Sequence, residues 1–150
     1  MEKYIIFKSS EQKFAILIAK TERILQLENV TKAMDVSSYI LGVIQYNGQT
    51  LPIIDSNQRF FNKQMIPSAS SKIIVVEWKD ERIGLAVDDV LTVETVSETE
   101  KKEENQSVEK DDDNSDFLEI KGELVTVISS EAIVFQEKND EIHALIDKVR

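Results

Sequence analysis

The sequence predicts a mainly β chain whose short antiparallel strands close into small barrels. Three observations carry this. Short apolar runs recur along the chain with turn residues between them, the pattern of small barrels rather than of a helical bundle. Asn47-Gly48 stands between two such runs and is the strongest short hairpin signal available, because both residues tolerate the positive φ of a tight turn. Helical periodicity is confined to the C-terminal end.

In chain order, Tyr4-Ile5-Ile6-Phe7 and Phe14-Ala15-Ile16-Leu17-Ile18-Ala19 flank a turn at Ser9-Ser10-Glu11 and form a first hairpin. Residues 24–30 alternate loosely and read as an ambiguous strand. Residues 35–39 form a turn or a single helical turn, with Asp35 or Ser37 as its cap. Residues 41–46 and 50–55 are the hairpin around Asn47-Gly48. Pro52 lacks an amide donor, which places it at an edge or a bulge of its strand. Residues 56–61 suit a short helix that buries Phe60 or Phe61. After a loop over 62–71, Ile73-Ile74-Val75-Val76 is too apolar for a strand with one wet face. Lys79-Asp80-Glu81 turns it into Arg82-Ile83-Gly84-Leu85-Ala86-Val87, and residues 90–96 alternate as another strand. Residues 117–121 and 123–128 make a last hairpin around Gly122.

Two segments differ. Residues 97–116 hold nine acidic and three basic residues and a single apolar one, Val108, so burial cannot offset their ordering entropy; an acidic mobile loop is expected. Asp111-Asp112-Asp113 within it would be a cation site only with the glycine and distal glutamate of a calcium loop, which are missing. Residues 137–150 read as a C-terminal helix: Ile142, Leu145, Ile146 and Val149 form one stripe, capped by Asn139, which either docks on the barrels or meets a partner.

Composition excludes several functions. The net charge of −10 repels nucleic-acid backbones, and no basic face with exposed aromatics supports a nucleic-acid-binding barrel. No apolar run exceeds the six residues 14–19, too short for a membrane span, so direct membrane insertion is not expected. Cysteine is absent, and Met1-Glu2-Lys3-Tyr4 leads straight into a strand pattern rather than an export signal. A cytoplasmic domain is the expectation. The four glycines are isolated, so no phosphate loop exists, and His143 stands without a second histidine or cysteine for a metal. Asp88-Asp89 are adjacent in a strand context and point to opposite faces, which argues against a hydrolytic pair and for Asp88 bonding the amides of the turn beside it. No enzyme, metal or cofactor is expected. A small metal-dependent hydrolase using Asp88, Asp89 or the acidic run is the competing reading.

One ordered set of motifs is more specific. Gly42-Val43-Ile44-Gln45-Tyr46-Asn47-Gly48 followed by Leu51-Pro52-Ile53-Ile54-Asp55 resembles the CheW-like family signature G-V-I-N-L-R-G and P-V-I-D-L. Ile73-Ile74-Val75-Val76-Glu77 and Ile83-Gly84-Leu85-Ala86-Val87-Asp88-Asp89-Val90 are similar to its second core, and residues 7–24 and 117–135 to its first hairpin and closing strand and helix. The resemblance covers about residues 3–136 and implies a single domain over 1–150: two five-stranded SH3-like barrels sharing an apolar interface, with short helices. It further implies a non-catalytic adaptor. Its partners would be the regulatory domain of a CheA-type histidine kinase and the cytoplasmic tip of a methyl-accepting chemoreceptor, and it would join membrane receptor arrays through them. A stand-alone module recruited to another signalling kinase, or a fragment of a larger adaptor, is the alternative.

The resemblance places a receptor groove at Thr21, Glu22, Arg23, Tyr46, Asn47 and Gly48. Asn47 stands where the family carries arginine, and Arg23 where an acidic residue is typical. The family's charge pair is therefore not expected at these two positions, and an altered choice of receptor or kinase is.

Overall fold

A computed structural model describes residues 2–96, 101–102 and 116–134. It shows two sheets. The first is ordered β8-β1-β2-β11-β10-β9, from β1 (Glu2–Ser9), β2 (Gln12–Leu17), β8 (Asp89–Val96), β9 (Lys101–Lys102), β10 (Asp116–Ile120) and β11 (Glu123–Ile128). The second is ordered β3-β6-β7-β5-β4, from β3 (Thr21–Gln26), β4 (Ile40–Tyr46), β5 (Gln49–Asp55), β6 (Lys72–Trp78) and β7 (Glu81–Val87). Two short helices follow β5 and β11: α1 (Ser56–Phe61) and α2 (Ser130–Ile133). The mainly β architecture with two barrel-forming sheets is as expected; the first sheet consists of five main strands and the two-residue β9.

Strand alternation here separates two apolar environments instead of core from water. Along β6, Ile73 and Val75 point into the second sheet's own core with Leu51, Ile53 and Ala86, whereas Ile74, Val76 and Trp78 join the core between the sheets. Along β1, Tyr4 and Ile6 fill the first sheet's core, and Ile5 and Phe7 face the shared one. This is why β6 is apolar without interruption: neither of its faces is wet.

Hairpin turns set the registers. Asn47 (φ 50°) and Gly48 (φ 77°) close β4 to β5 as the sequence predicts, and Ser10-Glu11, Lys79-Asp80 and Lys121-Gly122 make turns of the same left-handed kind. Both sheets are rolled. In the first, Lys121 Nζ, in the turn after β10, lies 3.9 Å from Glu94 Oε2 on the far edge strand β8. In the second, Tyr46 on β4 bonds Glu22 on β3, and these are opposite edges of the sheet.

The interface carries a polar staple beside its apolar core. Ser9 Oγ lies 2.8 Å from Ser56 Oγ and also bonds Asn57, whose Nδ2 donates to Asp88 at 3.1 Å. Asp88 in turn accepts from the Ser10 amide at 2.9 Å. Asp88 is thus structural, but its backbone donor belongs to the β1–β2 turn and not to the turn beside it. Arg59 on α1 reaches the carbonyls of Ile133 (2.8 Å) and Ala132 (2.7 Å), satisfying the last turn of α2.

Three expectations need correction. Pro52 is neither at an edge nor at a bulge: β5 is interior, and Pro52 sits opposite Val43. Val43 spends its own amide and carbonyl on Thr31, so Pro52 is not asked for a bond on that side, and pairing with β7 begins only at Ile53. Neither Phe60 nor Phe61 is fully buried; Phe60 is partly buried against the shared core with its ring 5.1 Å from Phe14, while Phe61 remains 37% exposed. The strand after the first hairpin is Thr21–Gln26, earlier than residues 24–30. Within the stretch expected as an acidic loop, Lys101 and Lys102 pair with Leu118 and Phe117. The rest of 97–115, the C-terminal helix over 137–150 and His143 lie outside the described residues.

Candidate functional site

The predicted groove residues meet where the second sheet rolls closed. Thr21 opens β3: its amide and its hydroxyl (2.9 Å) both bond the Ile18 carbonyl, ending the 3-10 turn Ile18–Lys20. Pairing of β3 with β6 then slips, from Thr21 opposite Val76 to Arg23 opposite Val75, which leaves Glu22 as an extra, bulged residue. The bulge turns the Glu22 carboxylate toward two donors. Arg82 Nε reaches Oε1 at 2.5 Å, and the Tyr46 hydroxyl donates to Oε2.

Tyr46 closes β4, and its ring is buried in the second core. Burial raises the pKa of its hydroxyl, and the bond to Glu22 raises it further. The Tyr46 hydroxyl, followed by Arg82, holds the Glu22 carboxyl below its ordinary value. Asn47 and Gly48 follow directly at the hairpin tip, exposed to solvent. Glu22 and Tyr46 are therefore in contact with Arg23 beside them, and Asn47 and Gly48 contribute the turn.

Arg82 was not among the predicted site residues. Its only sequence signal is its place after the Lys79-Asp80 turn, which puts it opposite Glu77. An ion pair therefore does stand at this place, although Arg23 and Asn47 cannot make one. The acid is one residue earlier than the resemblance suggests, and the base comes from β7.

Two depressions flank this seam. One, of about 620 Å³, runs between the sheets past Tyr4, Leu17, Lys20, Glu77, Arg82 and Ser129. The other, of about 700 Å³, lies between the edges β3 and β4 and is lined by Leu25, Thr31, Val43, Ile44 and Gln45. Among the described residues no cluster of His, Asp and Glu could hold a metal ion, and no helix is long and apolar enough to cross a membrane.

Because the folded Glu22 pKa is depressed, its pairing stabilises the fold above the ordinary carboxylate pKa, and that contribution is lost as pH falls through the folded value. Glu22→Gln is expected to destabilise by no more than about 1 kcal/mol near neutrality, since the pair is part-exposed. Thermal melts over falling pH should show the two proteins converging. A constant difference down to strong acid would contradict the pairing.

Two rolled sheets packed through a common core, with a charged seam at a sheet edge, define a double-barrel protein-binding scaffold. The sequence model of the CheW-like domain matches residues 3–138, and the chain belongs to that family. It is a chemotaxis coupling scaffold. It is 29% identical over 140 residues to the chemotaxis protein CheW of Bacillus subtilis, covering 92% of this chain and 90% of that one. It is 27% identical over 139 residues to the CheW of Rhizobium meliloti, covering 91% and 89%. The crystal structure of the scaffolding protein TtCheW from Thermoanaerobacter tengcongensis superposes with a TM-score of 0.79 at 22% identity, covering 88% of this chain and 91% of that one, and shares the fold.

Proposed function

We propose that this chain is a non-catalytic cytoplasmic adaptor that couples the cytoplasmic tip of a chemoreceptor to the regulatory domain of a CheA-type histidine kinase. The observation that carries the reading is the seam itself. Arg23, Tyr46 and the Asn47-Gly48 tip, drawn from β3 and the β4–β5 hairpin, converge on one surface although 23 and 46 are far apart in sequence. Its chemistry is that of a docking surface: an aromatic hydroxyl, fixed charges and adjoining apolar depressions. The Glu22 carboxylate at the seam is engaged structurally by Arg82 and Tyr46, and Asp88, elsewhere in the fold, by Ser10 and Asn57. The adaptor reaches the membrane through its partners.

Titration of the purified protein against a receptor cytoplasmic fragment and against the kinase regulatory domain, both from the same source, tests this. Binding to both is expected, and receptor-dependent change of kinase autophosphorylation only when the adaptor is added. Failure to bind either partner overturns the proposal.

A further inference from the structure

The two barrels are fastened in two unlike ways, and both run through α1. Its first residues, Ser56 and Asn57, belong to the buried staple with Ser9 and Asp88. Arg59 lies about 200° further round the helix and turns instead to α2. That helix follows β11 of the first sheet and reaches across to the second. Ser130 Oγ donates to the Glu77 carbonyl of β6 at 2.6 Å, while Arg59 Nε and Nη2 donate to the carbonyls of Ile133 and Ala132. Pairing of β3 with β6 extends only to Val76, which leaves the next carbonyl of β6 open to Ser130.

A single helical turn does not sustain itself in water, because nucleation fixes several residues for few bonds. In α2 the amides of Ala132, Ile133 and Val134 bond back to Ser129 and Ser130, and the Ser129 hydroxyl caps the start. The rest of its order comes from outside: the two Arg59 bonds, the Ser130 bond, and the seating of Ile133 and Val134 in the shared core at 0% and 3% exposure. The staple, by contrast, closes over fully buried Ser9 and Ser56 and joins segments anchored in both sheets. Ser129, Ser130 and Glu131 also form part of the wall of the cleft of about 620 Å³ between the sheets, together with Ile16 and Ile128 of the shared core.

We propose that α2 is a releasable strap across this cleft, with Arg59 as its latch. It lifts while the barrels stay joined through the staple, and lifting uncovers Ile133, Val134 and the apolar floor at Ile16 and Ile128. Breaking three bonds and withdrawing two side chains costs far less than opening the whole fold. The scaffold thus has a closed and an open form of its inter-barrel cleft. This holds whichever partner it binds, so it stands apart from the adaptor reading.

The chain has no cysteine, so a single buried thiol reports opening without background. Val134→Cys places one under the strap, and Val75→Cys places one in the second core, where only global unfolding exposes it. With dithiobisnitrobenzoate, the strap thiol should react roughly tenfold or more faster than the core thiol, and its rate should barely respond to low urea, since little surface is exposed. Arg59→Ala should speed the strap thiol roughly tenfold or more, and Arg59→Lys less, because a lysine serves one carbonyl where the guanidinium serves two. Ser9→Ala breaks the staple, which stays closed when the strap lifts. It should therefore speed the core thiol and leave the strap thiol unchanged. A strap thiol no faster than the core thiol, or one that Ser9→Ala speeds equally, means that α2 opens only with the whole protein and overturns the strap. An unchanged strap thiol in Arg59→Ala overturns the latch.

Discussion

Replacing Gly42 with alanine is expected to destabilise the protein by about 3 kcal/mol, a loss of roughly 10 °C in melting temperature for a chain of this size. Gly42 lies where β4 slips against β5, between Ile40 opposite Ile54 and Gly42 opposite Ile53. On its other side the Thr31–Val43 bridge draws the preceding segment tightly against the strand, with two backbone bonds of 2.8 Å. A Cβ at this position would stand 2.3 Å from the Thr31 carbonyl oxygen and 2.7 Å from Val30 Cγ1. The first of these is backbone and cannot swing aside. Relief requires the segment to lift, which breaks both bonds and opens the apolar depression along the β3–β4 seam. Gly48→Ala is the control, because a Cβ there meets nothing within 4 Å and only the left-handed backbone is penalised, by about 1 kcal/mol. Urea and thermal unfolding of the two variants decide the matter. Equal losses would mean that backbone conformation, not the close approach to Thr31, is what position 42 requires.

The same region shows what the sequence conveys and what it does not. Hairpins were legible because their information is local: Asn47-Gly48 fixes its own turn, and alternating apolar residues fix which side chains share a face. The uninterrupted run at Ile73-Ile74-Val75-Val76 was legible as a strand without a wet face, since only burial on both sides sustains it. Bulges were not. The slips at Glu22 and at Gly42 depend on where a partner strand lies, and nothing in the residues 21–23 alone marks Glu22 as the one expelled from register. That single slip moves the seam's carboxylate onto Arg82, a residue that reads from sequence only as the polar start of a strand. Pro52 shows a second limit. A proline in an interior strand is tolerated here because Val43 turns its own backbone groups toward Thr31, a fact of pairing rather than of composition. Phe60 and Phe61 show a third: apolarity placed both on one helix turn, but only the packing of Phe14 against them decides how much of each is covered.

Asp55→Ala is expected to lose a further amount of the same order, about 3 kcal/mol, because two buried amides would be left without acceptors. Asp55 is 1% exposed and ends β5, the second strand of the hairpin that carries Gly42. One carboxylate oxygen accepts from the Gln58 amide at 3.1 Å and caps α1; the other accepts from the Met65 amide at 3.0 Å. Met65 thereby stays seated in the second core. Asparagine retains one acceptor but sets its amide group against the second N–H, so Asp55→Asn should lose less than alanine and more than nothing. Its pH dependence runs opposite to that of Glu22. Burial raises the Asp55 pKa, and the amide bonds from Met65, Gln58 and Asn57 offset only part of that. A raised folded value means that the favourable contribution is present below the unfolded pKa and is lost as pH climbs through the folded one. Wild type should therefore gain on Asp55→Asn as pH is lowered through the region just above the ordinary carboxylate range, and lose on Glu22→Gln only below that range, as pH falls through the depressed Glu22 value. Melting curves of the three proteins across both regions separate the two carboxylates. If wild type instead loses ground to both variants on acidification, the amide bonds outweigh burial at Asp55, and its carboxylate is held by the α1 cap more firmly than its surroundings oppose it.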